Sequence, residues 1–220
     1  MTTGSPSSRR DAAVDERPMV YVVDDDEAIA AGLETLFRSV GLRVRLFSSA
    51  SALLSSDLDG APGCLVVDVR LPGLGGLDLQ AKLIEAGIDL PIVFMTGYGD
   101  IPMTVKAMKA GALEFLPKPF RDQDMLDAVQ LALERDRTKR HAERANAQMR
   151  ASFESLTPRE REVMAFVTTG LMNKQIAAEM GLAEITVKLH RGNLMRKMNA
   201  RSVAELARMA QILGIGRPKS

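Results

Sequence analysis

Five short apolar runs separated by helical patterns constrain this chain more than any other feature. "PMVYVVDD", "RVRLFS", "CLVVDV", "PIVFMTG" and "EFLPKP" read as strands. At least three of them are apolar throughout, the pattern of parallel strands buried on both faces. The spacing between them predicts helices over 27–40, 49–56, 76–86 and 102–110, and a further helix starting near Arg121. Five β–α pairs predict an α/β fold: a five-stranded parallel sheet, doubly wound, with helices on both faces.

From Arg121 to Ser152 the chain has no Pro or Gly. "MLDAVQLAL" carries apolar residues at helical spacing, whereas "ERDRTKRHAERANAQMR" is polar nearly all round. A helix that loses its apolar face is leaving its domain. The expected linker is helical, over 135–152, serving as part of a dimer seam; the alternatives are a plain solvated helix or a flexible linker. Next comes "LTPRERE", in which Thr157 suits an N-cap, Pro158 the first helical position and Glu160 the third position of a capping box. "EVMAFVTTG", "NKQIAAEMG", "AEITVKLHRGNLMRKM" and "SVAELARMAQILG" complete a small all-α, four-helix domain, with Gly170 and Gly181 where helix C-caps belong. The expected organisation is a disordered tail over 1–17, the α/β domain over 18–134, the linker over 135–152 and the helical domain over 153–220.

The net charge of +1 conceals an asymmetry. Residues 18–134 hold nine Lys and Arg against seventeen Asp and Glu, and residues 152–220 hold eleven against six. An acidic first module and a basic second one imply different partners, and the basic one suits nucleic acid. Cys64, the single cysteine, excludes an intrachain disulfide and reads as a core thiol. No apolar stretch approaches a membrane span, and the N-terminus lacks the apolar core of a signal peptide. A cytoplasmic protein is expected.

In open parallel sheets, ligands bind beyond the carboxyl ends of the strands. Asp24 and Asp25 end the first strand, Asp68 the third, Thr96 the fourth and Lys118 the fifth, so all five should gather on one edge. Carboxylates stacked there repel one another by about 4 kcal/mol per pair at 4 Å in a surface-like dielectric. Holding a hard divalent cation, Mg²⁺ foremost, makes sense of that cost. Asp68 can then attack a phosphoryl group as a carboxylate nucleophile, Lys118 supplies fixed positive charge and Thr96 a hydroxyl donor.

In the basic module, "NKQIAAEMGLAEITVKLHRGNLMRKM" reads as helix, tight turn, helix. Val187, Leu194 and Met198 share one stripe of the second helix. Leu189, Gly192, Asn193 and Arg196 lie opposite, flanked by Lys188, a face suited to a DNA major groove. Lys174 and Thr186, near helix starts, suit phosphate contacts, and Arg191 is long enough to reach the DNA backbone. Leu206, Met209 and Ile212 in the last helix suit core packing first and a dimer interface second.

With acid pair, acceptor Asp, hydroxyl residue and "KP" lysine in order, residues 18–134 resemble a two-component response-regulator receiver. "LTPREREV", "NKQIA" and "TVKLH" resemble the LuxR-type helix-turn-helix over about 153–215. Together they resemble the bacterial FixJ/NarL family, and "GDIPMTVKAMKAGALEFLPKPF" resembles its FixJ branch. The resemblance implies a flavodoxin-like receiver. It also implies Asp68 as phosphoacceptor, and Mg²⁺ on Asp24, Asp25, Asp68 and the backbone carbonyl of Arg70, with Asp25 the more direct of the paired ligands. Thr96 and Phe115 become a switch pair, and Lys118-Pro119 a cis peptide. Asp26 and Glu27 are expected to stay solvated. Leu71 departs from the Met of many relatives, and Arg70 and Tyr98 occupy variable positions that tune phosphoryl lifetime. Ala183 replaces a frequent Ser or Asp cap, and Gly192 removes a side chain from the groove-facing surface.

The expected function is a non-enzymatic, phosphorylation-dependent, DNA-binding transcriptional regulator. A sensor histidine kinase phosphorylates Asp68; the protein then forms a homodimer, binds an inverted repeat in promoter double-stranded DNA, and works with RNA polymerase. The alternatives are a phosphorylation-independent DNA binder whose receiver mediates only protein contacts, and a metal-dependent phosphohydrolase.

Overall fold

The computed structural model describes residues 17–58, 61–97 and 101–215, with the backbone alone for 101–103. Tyr98 and all of the expected tail except Arg17 lie outside these residues. The chain divides into two compact units, the first ending at Arg140 and the second beginning at His141.

In the first unit, β1 (Met19–Val23), β2 (Arg43–Phe47), β3 (Gly63–Asp68), β4 (Ile92–Thr96) and β5 (Glu114–Pro117) form one five-stranded sheet in the order β2-β1-β3-β4-β5. Every neighbouring pair is parallel. The connecting helices are α1 (Glu27–Ser39), α2 (Ala50–Leu54), α3 (Gly76–Glu85), α4 (Ile101–Lys109) and α5 (Asp122–Glu154).

Two cores explain the unbroken apolarity of the strands. Tyr21, Leu65, Val67 and Phe94 pack with Leu53, Leu79, Leu83 and Ala107 of α2, α3 and α4. Their sequence neighbours Val20, Val22, Cys64, Val66, Val93 and Met95 pack with Leu33 and Phe37 of α1 and Met125 and Val129 of α5. Alternate side chains thus meet helices on both faces, and neither face tolerates polarity.

The helix limits differ from the sequence expectations by a residue or two. α2 is the shortest, at five residues, because Ser49 caps it with a bond from Ala52 N and Ser55 already closes its end. α5 runs unbroken for 33 residues, with its buried side chains confined to Met125–Asp136. Asp136 is the last of these, and its carboxylate accepts from the Gly63 backbone N–H at 2.8 Å and from Arg140 Nε at 2.6 Å. Lys139 also pairs with Asp89.

The second unit contains α6 (Pro158–Val167), α7 (Asn173–Met180), α8 (Glu184–Lys197) and α9 (Val203–Ile212) around Val163, Met164, Ile176, Val187, Leu194 and Leu206. The capping box at α6 forms as its sequence requires: Thr157 N donates to Glu160 Oε2 at 2.8 Å, and Glu160 N donates to Thr157 Oγ1 at 3.3 Å. Gly181 closes α7 in the left-handed conformation, φ +63°, that glycine adopts without steric cost. The α7–α8 turn therefore occupies only residues 181–183, which holds the two helices in a tight helix-turn-helix.

Candidate functional site

The parallel register brings four strands to one rim. Val23 is level with Val67, so Asp24 follows β1 at the height of Asp68. Asp68 is level with Met95, and Thr96 with Pro117, which places Thr96 and Lys118 just past the same line. Lys118 N donates to the Thr96 carbonyl at 2.6 Å, and the Lys118-Pro119 bond is cis, as expected.

The side chains converge at this rim. Lys118 Nζ donates to Asp24 Oδ2 at 2.8 Å and to Asp68 Oδ2 at 2.6 Å. Burial alone would lower the lysine pKa, but two carboxylates outweigh it and hold the ammonium above its ordinary value. Asp68 Oδ1 accepts from Arg70 N at 2.8 Å, so both acceptor oxygens are fixed. Asp24, Asp68 and Thr96 are buried, and Asp25 stands in solvent.

The four consecutive acids have distinct positions. Asp24 Oδ1 accepts from Asp26 N at 2.9 Å. Asp26 is exposed but not merely solvated: its carboxylate caps α1, accepting from Ala28 N at 2.9 Å and Ile29 N at 3.2 Å. An Asp immediately before a helical pattern is a recognisable N-cap signal, and the emphasis on the acid cluster passed over it. Glu27 opens the exposed first turn.

Carboxylate oxygens of Asp24, Asp25 and Asp68 lie within 4.8 Å of one another. An octahedral ion with bonds near 2.1 Å separates its ligands by about 3 to 4.2 Å, so a small adjustment fits all three to one hard cation. Phe115 on β5 is half-buried, its ring centroid 6.4 Å from that of Phe94 at an interplanar angle of 49°.

Gly76 is a further residue that the sequence reading passed over. A Cβ at Gly76 would stand 2.5 Å from the Asp68 carbonyl oxygen and 3.0 Å from Val69 Cα. The first turn of α3 therefore presses directly on the strand end that carries Asp68.

On α8, Val187, Leu194 and Met198 are buried as the helical spacing predicts. Lys174, Lys188, Leu189 and Arg196 are exposed, and Thr186 and Asn193 are half-buried. Arg191 is drawn inward: its Nη1 donates to Asn173 Oδ1 on α7 at 2.8 Å, tying the two helices together. Asn193 accepts from Arg196 at 3.1 Å. Ala183 provides no side-chain cap, as its methyl group requires.

Comparison with known proteins matches this geometry. Residues 20–130 match the response regulator receiver domain, and residues 154–210 match the bacterial regulatory proteins of the luxR family. The chain belongs to the LuxR-type response regulators. It is 58% identical over 199 residues to Nodulation protein W of Bradyrhizobium diazoefficiens, covering 90% of this chain and 88% of that one. It is 47% identical to the response regulator protein TmoT of Ectopseudomonas mendocina, over 90% of both chains. The response regulator StyR has a similar solved structure: TM-score 0.82, 49% identity, 89% of this chain and 98% of that one. This LuxR-type response regulator is a phosphorylation-dependent regulator of transcription, and its partner classes are a kinase and DNA. No helix among its described residues is long and apolar enough to cross a membrane.

Proposed function

We propose that Asp68 receives a phosphoryl group from a sensor histidine kinase. A carboxylate oxygen of Asp68 attacks phosphorus, the bond to the donor's leaving group breaks, and an acyl phosphate results. The observation carrying this reading is Lys118, whose ammonium already bridges Asp24 and Asp68 and stands where new anionic oxygens arise. Asp24, Asp25, Asp68 and the Arg70 carbonyl would hold Mg²⁺, which supplies positive charge to the transferring phosphoryl oxygens.

The modification adds about −1.5 to −2 charge at neutral pH. Thr96 donates to the phosphoryl group, and Phe115 turns into the space beside Phe94. This reshapes the surface of α4, β5 and α5, which then forms a homodimer. A swing from about 1:99 to 99:1 needs roughly 5.5 kcal/mol of differential stabilisation. The paired helical domains read an inverted repeat in promoter DNA in the cytoplasm and engage RNA polymerase. Lys174, Thr186, Lys188, Leu189, Arg191, Asn193 and Arg196 contribute to the DNA-facing surface, and Arg191 also ties α8 to α7 through Asn173.

Acetyl phosphate and Mg²⁺ test the reading on the full chain. Intact mass should rise by one phosphoryl group, Asp68→Asn should prevent the rise, and sedimentation should show a dimer only for the modified protein. A phosphoryl group at another residue refutes the assignment of Asp68. A modified protein that stays monomeric refutes the dimer.

A further inference from the structure

We propose that Ile185 and Leu189 read thymine methyl groups in the operator, an inference that rests on the DNA-binding reading of α8 and names its base preference. Ile185 is 73% exposed and Leu189 63%; they are two of the three most exposed large apolar side chains among the described residues. Both lie on α8, one helical turn apart, and form a single outward apolar stripe. The core does not need them, because Val187 and Leu194 already fill the inward face at zero exposure.

The surroundings of the stripe select its partner. Lys188 lies exposed along one edge of the stripe, and Arg196 follows two turns beyond Leu189 on the same side. An apolar stripe edged by cations suits an anionic partner with apolar points on it. A second copy of the same face is disfavoured, because it would oppose Lys188 and Arg196 with their own like charges. In a major groove, the apolar point on a base edge is the C5-methyl of thymine.

The third position of the stripe is Gly192, where an added Cβ would meet nothing within 4 Å. The helix backbone can thus approach the base edges closely on that side, which lets the stripe reach the groove floor. Ile185 and Leu189 are separated by about 6 Å along the helix axis, close to two base-pair steps of about 3.4 Å. The preferred half-site should therefore present two thymine methyls about two steps apart, on either strand.

The experiment begins with binding-site selection from random duplexes by the full chain treated with acetyl phosphate. Each thymine of the selected site is then replaced by uracil, which removes only the methyl. In the wild type, uracil at one or two positions per half-site should weaken binding about four-fold each, the worth of one buried methyl-sized group. Ile185→Ala and Leu189→Ala should each abolish the thymine–uracil difference at one position. Both side chains are exposed, so both variants should melt like the wild type. Lys188→Ala should weaken thymine and uracil duplexes equally. Equal binding of thymine and uracil duplexes by the wild type overturns the inference and leaves DNA binding standing. A thymine–uracil difference that persists in both alanine variants does the same. Failure to select any sequence overturns the DNA-binding reading with it.

Discussion

Replacing Asp136 should loosen the receiver at the end of β3 opposite the acid rim. Asp136 is 2% exposed, and its Oδ2 accepts both from the buried Gly63 N–H, the first amide of β3, and from Arg140 Nε. Asp136→Ala leaves that N–H without its acceptor, which costs about 1 to 3 kcal/mol in a buried setting. The lost ion pair adds less than about 1 kcal/mol, because the Arg140 side chain is 27% exposed and regains water. Relief from burying a carboxylate offsets part of the total. The expected loss is about 2 kcal/mol, with about 1 kcal/mol for Asp136→Asn, whose amide oxygen can still accept from Gly63. Urea titration measures it, and with a slope of about 1.5 kcal/mol/M the Asp136→Ala midpoint should fall by more than 1 M. The chain has no Trp, and both tyrosines, Tyr21 and Tyr98, precede Arg140, so tyrosine fluorescence follows the receiver alone. A midpoint for Asp136→Ala within 0.3 M of wild type, or equal losses for the alanine and asparagine variants, would refute the role given to this acceptor.

Gly76→Ala should displace the end of β3, since the new Cβ would stand 2.5 Å from the Asp68 carbonyl oxygen. Overpacking of this kind costs about 1 to 3 kcal/mol, and misplacement of the proposed acceptor carboxylate should slow acetyl-phosphate labelling at least about ten-fold, read by intact mass. Glu160 contributes to the acid sensitivity of the helical domain. Burial raises its carboxyl pKa, but hydrogen bonds from the Lys197 ammonium and from Thr157 more than reverse this and hold it below the ordinary glutamate value of 4.5. The unfolded chain therefore binds the extra proton first, and the stabilisation present above about pH 4.5 is lost as pH falls toward the folded value. Melting followed by helical circular dichroism should decline over that range in the wild type and less steeply in Glu160→Gln.

The parts of this molecule that have a period were legible in its sequence. Continuous apolarity announced strands covered on both faces, because successive residues such as Val22 and Val23 belong to different cores. The rim was legible for the same reason: once the strands are parallel and in register, the residues at or just past their ends must lie together, and Asp24, Asp68, Thr96 and Lys118 are those residues. Contacts between distant segments left no such signal. Asp136 reads as one more charge in a polar helix until Gly63, 73 residues earlier, is brought beneath it. Arg191 reads only as a reach toward DNA, and nothing in its neighbourhood announces that its Nη1 donates to Asn173, 18 residues earlier. Ile185 shows the converse. Its apolar character suggests the core, and only the packing of Val187 and Leu194 reveals that α8 already has its full inward stripe. An outward isoleucine on a basic helix is available to whatever the helix binds, and that makes a methyl on a base edge a more demanding test of this surface than another lysine substitution would be.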